Sequence, residues 1–151
     1  GYSLSLSQEV DGVSVDVGIR AGSSIRGGRM PANRAVVTIE KGTPGPIDTS
    51  VVDPIIEAVV DVWEPLAGNF RDDTVLDLAL PTTSWQVPIG HRIWLHQDIA
   101  TIDQVAAGIT ITHRETGTVL AAPDDWPAHQ VVDAMRETLT LNDVDSVPHE
   151  T

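Results

Sequence analysis

The sequence predicts an α+β fold: a two-layer sandwich of mostly antiparallel sheet with two main helices on one face. Three observations carry it. Several short runs alternate apolar with polar residues, the period-two signature of strands with one wet face. Two longer segments switch to helical spacing. Each of those segments carries a single apolar stripe, so together they can cover only one face of a sheet.

The first forty residues read as strands. Leu4 and Leu6 alternate with serines, and Val13, Val15, Val17 and Ile19 alternate with Ser14, Asp16 and Gly18. Asp11-Gly12 between them suits a tight hairpin turn, because glycine accepts positive φ. Ala21–Asn33 holds two Arg, three Gly and Pro31, and reads as a long mobile loop; Ala35–Glu40 resumes as a strand. Gly42–Pro46 is a breaker cluster. After it Ile55, Ile56, Val59, Val60 and Trp63 fall on one helical stripe, with Glu57, Asp61 and Glu64 opposite. The helix starts either at Ser50 or at Asp53 capping Pro54, and Pro65 and Gly68 follow its end near Glu64.

Leu76, Leu78 and Leu80 alternate with Asp77 and Ala79 as a further strand, stopped by Pro81. Short segments follow at Ser84–Pro88 and His91–His96, and Thr101 caps one or two helical turns over Ala100–Ala107. Ile109–His113 and Thr118–Ala122 flank a turn at Arg114–Gly117 and form a second hairpin. Ala128, Val131, Val132, Met135 and Leu139 make the last helical stripe, opened by Asp124-Asp125 ahead of Pro127. Residues 1–141 are expected to form one domain, and 142–151 a polar, frayed tail.

Composition narrows the function. Fifteen Asp and seven Glu face eight Arg and one Lys, Lys41, for a formal net charge of −13 on 151 residues. That field disfavours nucleic acid and anionic membranes, which need clustered Lys and Arg, and favours a basic protein or a cation. Simple surface acidity, as in a salt-adapted or GC-rich source, is the competing explanation. The apolar fraction of 41% supports a folded core. Cysteine is absent, which excludes disulfides, thiolate zinc sites and a cysteine nucleophile. No run approaches the ~20 apolar residues of a membrane span, and no signal peptide opens the chain, so the cytoplasm is the expected compartment.

The densest constellation is Gly90–Asp98. On a strand Arg92, Trp94 and His96 share one face, and His91, Ile93 and Leu95 the other. His91, His96 and Asp98 with the distant His113 offer imidazole and carboxylate ligands, but the spacing matches no metal motif, and a half-buried strand with a polar face is the better explanation of them. Ser84 lacks a nucleophile context. Gly18–Gly28 lacks the Gly-Lys-Ser/Thr ending of a phosphate loop. Asp72-Asp73 and Asp124-Asp125 serve either as helix caps and loop acids or as contacts to a basic partner. Trp85 and Trp126 stand beside prolines, as loop clamps or as exposed anchors.

The run Pro31–Glu40, the helix ending Val-Asp-Val-Trp63-Glu-Pro65, and Pro88-Ile-Gly90 leading into Trp94-Leu95 resemble an immunity protein of bacterial polymorphic toxin systems. The nearest set is immunity family fifty-two, common in actinobacteria. Gly117–Leu120 and Pro127 opening the last helix are compatible with it. The resemblance spans residues 31–140 through short motifs, and His91 stands where an aromatic is expected after Gly90. It implies a non-enzymatic antitoxin that covers a cognate toxin, with no cofactor, metal or catalytic residue. The expected partner-binding residues are Asp72, Asp73, Trp85, Arg92, Trp94, Asp124, Asp125 and Trp126. Two other readings stand beside it: a small metal protein or enzyme built on His91, His96, Asp98 and His113, and an accessory module of a larger secretion-linked protein.

Overall fold

The computed structural model describes residues 2–22, 33–41 and 49–149. Contacts divide the chain into two compact units, Gly1–Asp48 with His149–Thr151, and Thr49–Pro148. The class is α+β: among the described residues the strands form two separate antiparallel sheets, accompanied by three helices.

The first unit is a three-stranded sheet of β1 (Tyr2–Val10), β2 (Val13–Ala21) and β3 (Arg34–Lys41), in that order. Val10 pairs with Val13 across a two-residue turn. Asp11 and Gly12 both take positive φ, 51° and 76°, which matches the twist a hairpin requires. Leu4 faces Ile19 and Leu6 faces Val17 on one side, and Val17 and Ile19 continue to Val37 and Ala35 on the other. The alternation therefore collects the apolar side chains on one sheet face. Strand β1 is exposed throughout, with Leu6 at 58%; an edge strand has a neighbour on one flank only. Most of the loop expected at Ala21–Asn33, and the breakers at Gly42–Pro46, lie outside the described residues.

The second unit contains α1 (Thr49–Trp63), β4 (Ala67–Phe70), α2 (Asp73–Leu78), β5 (Arg92–His96), β6 (Thr110–Arg114), β7 (Gly117–Ala121) and α3 (Ala128–Leu141). Its sheet runs β4-β5-β7-β6, antiparallel throughout. Ile93, Leu95 and Leu120 are fully buried on one face and join Val131, Met135 and Leu139 of α3 and Val75 of α2 in the core. The other face carries Arg92, Trp94 and Arg114. All three bond to α1 or the second residue after it: Arg92 to Asp53, Arg114 to Asp61, and the Trp94 indole to the Pro65 carbonyl. Helices thus lie on both faces of this sheet rather than on one. The reason is a set of long-range ion pairs: α1 carries the acids that these arginines bond.

Several elements differ from the sequence expectation. Leu76–Leu80 is not a strand, because the Asp72 carboxylate accepts the Val75 N–H at 2.8 Å and caps a short helix that buries Val75 and Ala79 four residues apart. Helix α1 begins at Thr49 and accommodates Pro54, and Trp63, expected in its buried stripe, is 46% exposed.

Residues 101–106 form no helix. The Asn142 carboxamide oxygen accepts the N–H groups of Asp103 and Gln104, its amide nitrogen donates to the Gln104 carbonyl, and the Thr138 hydroxyl accepts the Ala106 N–H at 3.0 Å. Side chains at the end of α3 therefore satisfy the backbone that a helix would have satisfied itself. Thr138 is fully buried and also donates to the Ala134 carbonyl. Thr138→Val keeps the shape but orphans the Ala106 N–H, and should cost about 1–2 kcal/mol in urea unfolding.

The tail is not frayed as far as it is described. Val144 is buried, the Val87 N–H donates to the Asp145 carbonyl, and the Val147 N–H donates to the Trp85 carbonyl. The two extended segments satisfy each other's backbone groups.

Candidate binding surface

The eight residues expected to meet a partner separate into interior and surface groups. Arg92 opens β5 and is buried. Its Nε donates to Asp53 and its Nη2 to Asp124, each at 2.9 Å, while Nη1 donates to the carbonyls of His91 and Ala122. Burial works against its charge, but the ion pairs with Asp124 and Asp53 outweigh that and raise its pKa above the ordinary value. The guanidinium therefore joins α1, β5 and the segment leading to α3.

Trp94 is 2% exposed, and its indole donates to the Pro65 carbonyl at 2.7 Å. Trp85 is also buried. Both act as clamps inside the second unit.

Asp72 and Asp124 are half-exposed and bonded internally. The neighbouring residues His91 and Arg92 hold them, through His91 Nε2 to Asp72 at 3.0 Å and Arg92 to Asp124. Both acid pairs are thus tied to one strand end, which leaves Asp73 and Asp125 exposed beside them. Burial of Asp72 raises its pKa, but the Val75 N–H, the His91 ring and the Thr74 N–H together pull it below 3.8. A depressed carboxyl stabilises the fold above its unfolded value, and the gain disappears as pH falls through the folded value. Asp72→Asn keeps a capping side chain. The stability gap between it and the unmodified protein should be largest above pH 3.8 and close in stronger acid, as read by urea midpoints across pH.

The histidines do not converge. His96 lies on the α1 side of β5, and its Nδ1 stands 3.1 Å from the Asp98 backbone nitrogen and 3.5 Å from the Asp98 carboxylate. His113 lies opposite Thr118, on the core side of β6, and His91 pairs with Asp72. Among the described residues no group of three His, Asp or Glu is placed to hold a metal ion, and no helix is long and apolar enough to cross a membrane.

A shallow groove of about 340 Å³ lies along the outer side of α3. Trp126, Ala106, Ala107 and Ala134 supply its apolar lining, and His129, Gln130, Asp133 and Glu137 its polar lining. The indole of Trp126 rests on Gly108, where an added Cβ would overlap the ring and where φ is +88°. Trp126 belongs to the expected set; His129, Asp133 and Glu137 do not. Their spacing of four along α3 was the available signal, hidden because the apolar stripe of the same helix dominates its pattern.

Charge is unevenly distributed. Residues 49–148 hold sixteen of the twenty-two acids against four arginines, a difference of −12 out of the chain's −13. Of those arginines, Arg92 and Arg114 are in ion pairs, and Arg136 reaches the Leu78 carbonyl at 3.4 Å. Comparison with protein-family models, with curated proteins and with solved structures finds no match.

Proposed function

We propose that this chain is a non-enzymatic binding protein that neutralises a basic partner, as an immunity protein does its cognate toxin in the cytoplasm of the producing cell. The observation that carries the reading is the charge of −12 on residues 49–148, whose arginines are largely engaged within the fold. A surface of acids with few free cations raises the local concentration of a positively charged protein and speeds encounter. Exposed Asp73 and Asp125 and the half-buried Trp126 are the residues of the expected set that support a contact surface. The short immunity-like motifs point the same way.

The test is co-expression with the product of the adjacent gene, followed by a binding measurement. The expected result is a 1:1 complex, relief of toxicity, and an association rate that falls about tenfold or more between ~0.05 and 0.5 M salt. Neither a complex nor relief of toxicity overturns the reading.

A further inference from the structure

We infer that the groove beside α3 seats a lysine or arginine side chain of that basic partner, with Trp126 against its aliphatic stem and Asp133 and Glu137 at its cationic head. The inference rests on the proposed function for the partner's charge and on the groove itself for the anchor.

The apolar lining consists of the small side chains of Ala106, Ala107 and Ala134 together with the Trp126 indole. A hollow of this kind accepts a methylene chain, and basic side chains bury their stems on apolar surface while the charge stays at the rim. An indole adds attraction for a cation over its face. The polar lining then presents Asp133 and Glu137 one helical turn apart on the exposed side of α3. Like charges at that spacing disfavour the helix that carries them. No ion pair or hydrogen bond engages either carboxylate among the described residues, in contrast to Asp53, Glu57, Asp61, Asp72 and Asp124. A cation entering from outside would relieve the repulsion. The groove's lining contains no Lys or Arg; its one basic group is the His129 imidazole, a turn before Asp133.

The position of Trp126 is fixed independently of any partner. Gly108 lets the ring lie against the turn before β6, and the indole packs on the core cluster as well. A partner side chain would therefore meet a preformed surface, which lowers the ordering cost of binding.

The probe is a nona-arginine peptide titrated into the full chain at low salt, followed by the indole N–H resonances, with Trp126→Phe used only to assign the Trp126 signal. The expected result is a shift of that signal on binding. Asp133→Asn with Glu137→Gln should weaken the peptide about tenfold, and a control removing two acids elsewhere, Asp77→Asn with Glu115→Gln, less than about twofold. Ala107→Leu, which fills the hollow without changing charge, should also weaken it severalfold. If the peptide binds while the Trp126 signal stays still, or if the two charge variants weaken it equally, the groove is not the anchor and the acidic-surface reading stands alone. If the unmodified chain does not bind the peptide at all, the groove inference is overturned, and the partner reading is judged by its own complex assay.

Discussion

Arg92→Met should lower the unfolding free energy of the second unit by about 3 kcal/mol. The substitution keeps much of the side-chain volume but removes four donated hydrogen bonds at once, two of them to carboxylates. Losing one member of a buried ion pair typically costs 3–5 kcal/mol, and the lower end applies because Asp53 and Asp124 are themselves half-exposed and can rehydrate. Arg92→Lys should recover less than half of the loss, since an ammonium lacks the planar fork that reaches two carboxylates and two carbonyls together. Asp53→Asn and Asp124→Asn should each cost only about 1 kcal/mol. Urea midpoints for the four variants check the set, and a lysine variant as stable as the unmodified protein would show that the guanidinium fork is not what matters.

The second large effect is steric. An added Cβ at Gly117 would overlap the Leu95 carbonyl oxygen and stand 2.6 Å from the tip of the Trp94 indole. Backbone on one side and a buried ring on the other leave no flexible neighbour to yield, so Gly117→Ala should cost about 3 kcal/mol. Gly68→Ala is the matched comparison within the same sheet. Its new methyl would meet only the Trp94 Cβ at 3.9 Å, an ordinary contact, and its effect should stay within about 0.5 kcal/mol. Thermal unfolding of both variants, monitored by near-ultraviolet circular dichroism, separates the two cases.

Local signals in the sequence were sufficient wherever one segment decides its own conformation. Asp11-Gly12 sets the β1–β2 hairpin, the turn before Gly117 sets the β6–β7 hairpin, and the apolar stripes set α1 and α3. The strand alternation also placed Arg92, Trp94 and His96 on a common face correctly. What the alternation could not say is that this face is covered. The Arg92–Asp53 pair spans 39 residues of sequence, and nothing local marks the two as partners, so a buried polar residue looked like a wet one. For the same reason residues 100–107 looked helical. Their backbone is satisfied by Asn142 and Thr138, more than thirty residues away. Strand β4, Ala67–Phe70, has too little alternation to be read at all, and α2 follows from one capping carboxylate rather than from any period.

The long reach of α3 also bears on how the chain emerges during synthesis. The β1–β2 hairpin closes through neighbours and can form as soon as its residues leave the ribosome. The second unit cannot. Val87 waits for Asp145, Trp85 for Val147, and the 101–106 segment for Thr138 and Asn142. Until those last residues are free, Leu95, Leu120 and Ile102 lack the helix that covers them. Loop closure of this span must precede the contacts that reward it, a topology that slows folding. The nascent protein therefore holds its acidic half open until residues 138–147 have emerged, with net charge rather than packing to keep it apart from its neighbours.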